Sequence, residues 1–588
     1  MPTTEGARTE LRPHPSSAGV SGLPASRGRW LSRMVDRLEG GGASVLLAVA
    51  LSIYAALDLW LTRGITLFVD EQDLFIQSRG FRPSALLAPF NGHLILLERL
   101  TYAVDFKLFG ASSVLPRLVE IAGVMLVVIL LFVLVRRRIG AAAALAVALL
   151  ILFFGTAWEQ NFSFSGIGGH VYAVAGGLAA FLALDGWDPR SPTRTRRDLI
   201  ACASLLVAVA AFTLGVAFAI GALVLIFMQR GARRRVWVAL VPLALYGAWL
   251  LWVRTVYVPA HGEVEVLNFS RLLLIPNFIA EELSSSLGAL AGLNNYGQSA
   301  MGSSTSSFGP VLAVLFTGAL LVGFRRFGIR SPSLLGFAMT LLVYWGILTL
   351  TRDPSTAREM YAAAILLLLI AAEAARGMRL SARAVGVLYL VALLAIAGNV
   401  FRLREGANFY RAFGTSLRAQ LSALELARDH VSSSFLVGPY PLKHVVAGPY
   451  LAAVKRNGSP AYSLGELERG PESLRHDADE LLVQALQIAL RPHVSGTSLG
   501  SCQRAAGQPS GQVTFPLGAP GAALRSDSAA RVSVRKFASR SVVPVGTLSP
   551  RARADLRIPT DRSGRPWMVT IAPSGPQSLT VCRLSASA

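Results

Sequence analysis

The feature that most constrains this chain is its rhythm of long apolar runs broken by short clusters of arginine. Runs of a length suited to a bilayer core fall near 43–62, 114–135, 139–157, 167–184, 199–213, 214–228, 236–254, 309–324, 333–350, 359–376 and 383–401. About eleven spanning helices are expected. With 53% hydrophobic and 15% charged residues and a mean hydropathy of +0.50, the chain is too apolar for an ordinary soluble protein. Its net charge of +22 is spread through the connections and forms no single patch, which excludes a nucleic-acid footprint and reads instead as a topology signal.

Arg136, Arg137 and Arg138, then Arg190, Arg194, Arg196 and Arg197, then Arg230, Arg233, Arg234 and Arg235, then Arg325, Arg326 and Arg330, then Arg376, Arg379 and Arg383 all fall on one side of that threading. The positive-inside rule makes it the cytoplasmic side of a plasma (inner) membrane. The segment 199–228 fits either two short spans or one tilted helix, and basic clusters at both of its ends favour a hairpin. Residues 1–40, rich in Ser, Gly, Pro and Arg without a cleavable-signal pattern, are expected as a disordered basic cytoplasmic tail. Arginine-heavy usage is that of a GC-rich, bacterial genome.

This topology puts a large loop (63–113), a short loop (158–166), a loop at 255–308, another at 351–359 and everything beyond residue 402 outside the cytoplasm. Residues 402–490 read as a helical, mixed segment. From 491 to 588, short alternating runs such as ARVSVRKFA and PWMVTIA predict a β-sandwich. Three cysteines are present; Cys502, placed before the first strands, and Cys582, in the last, are expected to pair as a disulfide in an oxidising compartment.

The first outer loop opens with LFVDEQDLFIQSRGF, which brings Asp70, Glu71 and Asp73 together just past the first span. It continues through SALLAPFNGHLILLERLTYAVDFKLFG, an amphipathic pattern expected to lie on the membrane surface. Asp58 and Glu120 sit within the outer ends of the first two spans and Glu159 at the end of the third. Carboxylates so placed either mark the water boundary or face a shared cavity, and their number on one face favours the cavity.

A first span, an acidic pair in a large outer loop, surface helices and then FKLFGASSVLPRLVEIAG resembles the GT-C superfamily of integral-membrane glycosyltransferases, in particular the family-39-like branch of protein mannosyltransferases and aminoarabinose transferases. The later REMYAAAILLLLIAAE resembles a phrase that opens a late span in many members. The resemblance covers roughly residues 43–401, within an expected membrane domain of 41–401. It implies a GT-C-like membrane domain and transfer of a sugar from a polyprenyl-phosphate donor to an extracytoplasmic glycan, lipid or protein acceptor, with inversion.

On that reading Asp70 is the general base that takes the acceptor hydroxyl proton, and Glu71 holds the acceptor or orients Asp70. Arg358, whose planar fork suits phosphate oxygens, grips the leaving group, with Lys107, His93, Arg117 and Glu159 as further substrate-binding candidates. Arg358 as an interfacial anchor, and His93 or Glu281 and Glu282 as solvated helix faces, are the plain alternatives; Trp567 either stacks on a sugar or fills the sandwich core. No metal-ligand spacing is present, so no metal site is assigned, although a divalent cation at Asp70 or Glu71 is compatible with the pattern. The rival functions are a non-catalytic envelope-assembly or binding protein on the same scaffold, and a lipid-linked-glycan transporter; the absence of internal repeats and the gathering of charge at the rim argue against transport.

Overall fold

In a computed structural model, the described residues are 32–162, 168–186, 194–229, 234–258, 269–296, 304–327, 331–351, 353–378, 380–437, 445–494, 499–506, 512–574 and 578–585. The expected tail at 1–31, Arg190, Arg230, Arg233, Arg330, Arg379 and part of the 158–166 loop lie outside them.

Among the described residues five helices are long and apolar enough to cross a membrane: Ser32–Leu61, Val114–Ile139, Trp237–Tyr257, Pro332–Thr351 and Ala382–Leu426. Shorter apolar helices cover Ala141–Ala157, Gly169–Leu184, Leu214–Phe227 and Gly309–Arg325. Arg194–Ala211 and Met360–Ala374 take up the remaining expected runs. The protein is a polytopic α-helical membrane protein with an antiparallel β region at its C-terminus.

Two boundaries differ from the expectation. Helix begins at Ser32, within the expected tail, because Glu39 is tied down: its carboxylate accepts from the Ala141 and Ala142 N–H groups (2.8 and 2.9 Å) and so caps the helix that starts there. The last span does not stop near residue 401. It continues as one helix from Ala382 to Leu426, about 68 Å at 1.5 Å per residue against a hydrocarbon core of about 30 Å. Its second half therefore projects beyond the bilayer and carries the C-terminal region.

The segment 199–228 is a hairpin. Its two helices, Arg194–Ala211 and Leu214–Phe227, turn at Phe212–Thr213, and their far ends are joined by Arg235, which pairs with Asp198 (2.6 Å) and donates to Gln229 (2.6 Å). On the same face Arg138 pairs with Glu373 and approaches Asp185 at 3.5 Å, while Ser331 donates to Glu373 (2.6 Å). The basic ends of the helices thus gather on one side, each buried charge held by an opposite one as burial demands. The arginines of the cluster at 136–138 form the last turn of Val114–Ile139, where cations complement the helix dipole.

Among the described residues nine strands follow toward the end of the chain: β1 Leu490–Pro492, β2 Leu499–Ala506, β3 Val513–Leu517, β4 Gly521–Ser526, β5 Ala530–Arg535, β6 Val543–Leu548, β7 Arg553–Arg557, β8 Trp567–Pro573 and β9 Ser578–Leu584. They form sheets of order β1-β7-β4-β9-β2 and β3-β8-β5-β6, antiparallel throughout. Cys502 lies in β2, not ahead of the strands, and is disulfide-bonded to Cys582, its register partner in β9. Trp567 is a core residue, 1% exposed. Helix Glu472–Ala485 packs against the long Ala382–Leu426 helix, and its Asp479 accepts N–H bonds from Lys536, Phe537 and Ala538, which fastens the β region to that helix.

Candidate active site

The face opposite the basic one is built around an aromatic cluster. Phe68 packs edge-on against Tyr410 and Phe413 of the long helix (centroids 4.5 and 5.0 Å) and against Trp158 (6.1 Å). Two close backbone approaches make room for it. A Cβ at Gly155 would meet the Asn399 carbonyl at 1.7 Å, and one at Gly406 would strike the Trp158 ring at 2.2 Å. The cluster places the residues that follow Phe68 beside the residue that follows Trp158, so Asp70 and Glu159 are brought into one region.

Val69, a β-branched residue at φ 21°, is a backbone outlier that turns the chain directly into helix Asp70–Gln77. All three carboxylates of the opening motif occupy its first turn, where negative charge is favoured by the helix dipole. Glu71 is 4% exposed; its two oxygens accept from the Phe68 N–H (2.6 Å) and the Tyr102 hydroxyl (2.7 Å). Asp70 is half-buried and within electrostatic reach of Glu159 and Arg358. The structure therefore separates the pair: Glu71 points into protein, and Asp70 faces the other charged groups.

Arg358 sits in the short turn Ala357–Glu359 that leads into Met360–Ala374. Burial works against its charge, but Glu359, Glu159 and Asp70 more than offset this and raise its proton affinity. Glu359 is 2% exposed; its Oε2 lies 3.0 Å from His170 Nε2 and accepts from the Tyr344 hydroxyl (2.7 Å), and its Oε1 lies 3.4 Å from Arg358 Nε. Burial would raise its pKa, yet His170 and Arg358 bring it down to about 2. Glu159 goes the other way. Burial, with Asp70 and Glu359 nearby, outweighs Arg358 and pushes it up to about 7.

His93 bonds through Nδ1 to Thr213 (2.8 Å). Phe212, at the hairpin turn, lies between His93 and His170, with ring centroids at 4.3 and 4.1 Å. Burial, with His170 and Arg358 nearby, pushes His93 down to about 4, which favours the neutral imidazole. Behind these groups Glu98 accepts from the Gly169 N–H, and Glu120, buried in its span, has neither oxygen hydrogen-bonded among the described residues and lies within electrostatic reach of Asp58, Glu98 and Glu71.

Of the residues expected at the site, Asp70, Glu159, Arg358 and His93 are thus brought together and Glu71 buttresses them. Two stand elsewhere. Arg117 donates to the Thr62 and Ile65 carbonyls, which fixes the exit from the first span, and Lys107 is exposed with its ammonium 5.5 Å above the Phe81 ring. Glu281 is exposed as a solvated face requires, whereas Glu282 is 1% exposed and accepts from the Ser355 N–H (2.6 Å). His170, Glu359 and Tyr344 are site residues that pattern reading misses. No group of three or more His, Cys, Asp or Glu able to hold a metal occurs among the described residues.

No protein-family model matches the chain, and no curated protein does. Among solved structures it is similar to ArnT from Cupriavidus metallidurans bound to undecaprenyl phosphate, at 16% identity and TM-score 0.43 over 70% of this chain and 85% of that one. It is similar also to the oligosaccharyltransferase AglB from Archaeoglobus fulgidus in complex with an inhibitory peptide and a dolichol-phosphate, at 14% identity and TM-score 0.40 over 76% and 69%. A third is the arabinosyltransferase EmbB from Mycobacterium smegmatis, at 12% identity and TM-score 0.26 over 96% and 65%. These are membrane glycosyltransferases of the kind the sequence resembles. At such TM-scores the overlap by itself assigns no activity.

Proposed function

We propose that the protein is a membrane glycosyltransferase that moves a sugar from a polyprenyl-phosphate donor to an extracytoplasmic acceptor in a single inverting displacement. The observation that carries the reading is the meeting of Asp70, Glu159 and Arg358 at the end of the helix bundle opposite the basic face. Asp70 accepts the proton of the acceptor hydroxyl as that oxygen forms its bond to the anomeric carbon. The bond from the anomeric carbon to phosphate breaks at the same time, and the lipid phosphate leaves with the electron pair. Arg358 holds that phosphate through paired N–H donors, with Glu359 fixing one edge of its guanidinium.

Glu71, occupied by Tyr102 and the Phe68 N–H, acts by holding the helix turn that aims Asp70. Neutral His93 is suited to hydrogen-bond a sugar or phosphate oxygen, not to neutralise it. A divalent cation beside Asp70 would share the charge of the phosphate, and Asp70 and Glu159 are the residues that would hold it. With the acidic face outside, the C-terminal region stands in the extracytoplasmic space.

The test is incorporation of label from a panel of radiolabelled polyprenyl-phosphate sugars into glycan, lipid or protein, in membranes with and without the expressed chain. Expression-dependent incorporation from one donor is expected. Loss of the donor without any labelled product would identify a hydrolase or carrier instead.

A further inference from the structure

A polar cavity lies apart from the Arg358 cluster, where the first outer loop meets the C-terminal region. It has a volume of about 410 Å³ and is walled by Ile65 and Thr66, by the end of the surface helix Leu96–Phe109 with the turn after it, by Arg418 of the long helix, and by residues 458–460. Two left-handed turns face each other across its floor, Gly110 at φ +67° and Gly458 at φ +85°. A Cβ on Gly110 would stand 3.5 Å from the Asn457 carbonyl and one on Gly458 3.8 Å from the Ala111 nitrogen, ordinary contact distances, so what reserves both turns for glycine is their positive φ.

The donors and acceptors in this cavity are complementary in a specific way. Arg418 is fixed by two contacts, its Nε donating to the Pro460 carbonyl (3.2 Å) and its guanidinium lying 3.8 Å from the Tyr462 ring centre, which leaves its terminal amino groups as donors. Thr66 uses its hydroxyl proton on the Pro460 carbonyl (3.5 Å) and so presents its lone pairs, while Ser459 donates to Glu425 (2.6 Å) and accepts from the Ala461 N–H (3.0 Å), which leaves it one lone pair. Ser112 stands at the exposed rim, and Phe109, 55% exposed, adds an aromatic wall. A phosphate or a peptide carbonyl, being acceptor-only, would satisfy Arg418 and leave the hydroxyl lone pairs unmet. A sugar hydroxyl both accepts and donates, and so answers both sets.

We infer that this cavity is a saccharide-binding subsite, and that it holds a sugar unit of the acceptor within a few units of the one that reacts. The volume accommodates a pyranose ring and falls in the usual range for small-ligand sites. Thr66 and Asp70 are joined by four residue steps, at most roughly 14 Å of extended chain, so a glycan bound here reaches the base within a few sugar units. The acceptor is then a glycan. This rests on the transferase reading only for the role of acceptor; the binding itself is separately testable.

The experiment is to probe full-length protein in lipid nanodiscs against an array carrying neutral and acidic bacterial-envelope oligosaccharides and, as a separate class, peptides. Binding to a saccharide is expected, weakened about tenfold or more by Arg418→Ala, which removes charged donors, and by Ser112→Trp, which fills the cavity from its exposed rim. Binding to peptides alone, no saccharide binding, or saccharide binding that neither variant changes overturns the inference. Saccharide binding that both variants weaken, in a protein that transfers sugar from no donor, upholds the subsite and refutes the transferase reading instead.

Discussion

Replacing Glu159 by Gln tests the electrostatics of the proposed catalytic face without touching the proposed base. Glu159 is 5% exposed and stands among Arg358, Asp70 and Glu359. Burial foremost pushes its pKa up from 4.5 to about 7. A carboxyl whose folded pKa is raised is held more tightly as the acid in the folded state than in the unfolded one. Its ionisation therefore costs stability, and the cost grows as pH rises from about 4.5 to about 7 and is constant above that. A rise of about 2.5 units at about 1.36 kcal/mol per unit is about 3 kcal/mol. Glutamine resembles the protonated form at every pH. The variant should match wild type near pH 4.5 and exceed it by up to about 3 kcal/mol at pH 8, in unfolding of nanodisc-held protein followed by intrinsic fluorescence at both values. If Glu159→Gln is instead the less stable protein at pH 8, the carboxylate is ionised and paired with Arg358, and the account of this face is wrong.

Other perturbations have equally definite outcomes. Arg358→Ala should weaken binding of undecaprenyl phosphate by about tenfold or more, and Arg358→Lys should restore only part of it because a point charge lacks the paired donors; equal affinity in all three proteins would remove Arg358 from the site. Tyr102→Phe deprives buried Glu71 of a donor and should lower stability by about 1.5–3 kcal/mol, read as a shift of the unfolding midpoint. Arg138→Ala, which leaves Glu373 to Ser331 and the half-exposed Arg376, should cost about 1.5–3 kcal/mol by the same measurement. Cys202 is the one free thiol among the described residues, so alkylation of denatured protein should add one label per chain before reduction and three after; three labels before reduction would place the β region in a reducing compartment.

The membrane domain was legible because burial in lipid demands long apolar runs, and each run forms a helix. The hairpin at 199–228 was legible from charge, because basic ends on one side force an even number of crossings between them. The continuity of Ala382–Leu426 was not, since the pattern turns polar after residue 401 while nothing in FRLREGANFYRAF breaks a helix: hydropathy marks where lipid ends, not where helix ends. At the site, Asp70, Glu159 and Arg358 were visible as charges at span ends. His170, Glu359 and Tyr344 were not, because each looks like an isolated polar residue at the margin of an apolar run; only packing of three helices shows that they share hydrogen bonds. Arg117 looked like an anion site from its position, but two carbonyls left over by the end of the first helix claim it. Glu282 looked solvated from its neighbour Glu281, which faces outward while Glu282 meets the Ser355 N–H.

The central claim is that a sugar is transferred at the Asp70 face. Its most direct test is the initial rate of label incorporation by purified wild type and Asp70→Asn in nanodiscs, using whichever polyprenyl-phosphate sugar the wild-type protein turns over, with unfolding midpoints measured in parallel. The account predicts that Asp70→Asn keeps the wild-type midpoint within a few degrees and loses transfer by a factor of at least about 10². A well-folded Asp70→Asn protein that transfers sugar at the wild-type rate would contradict it.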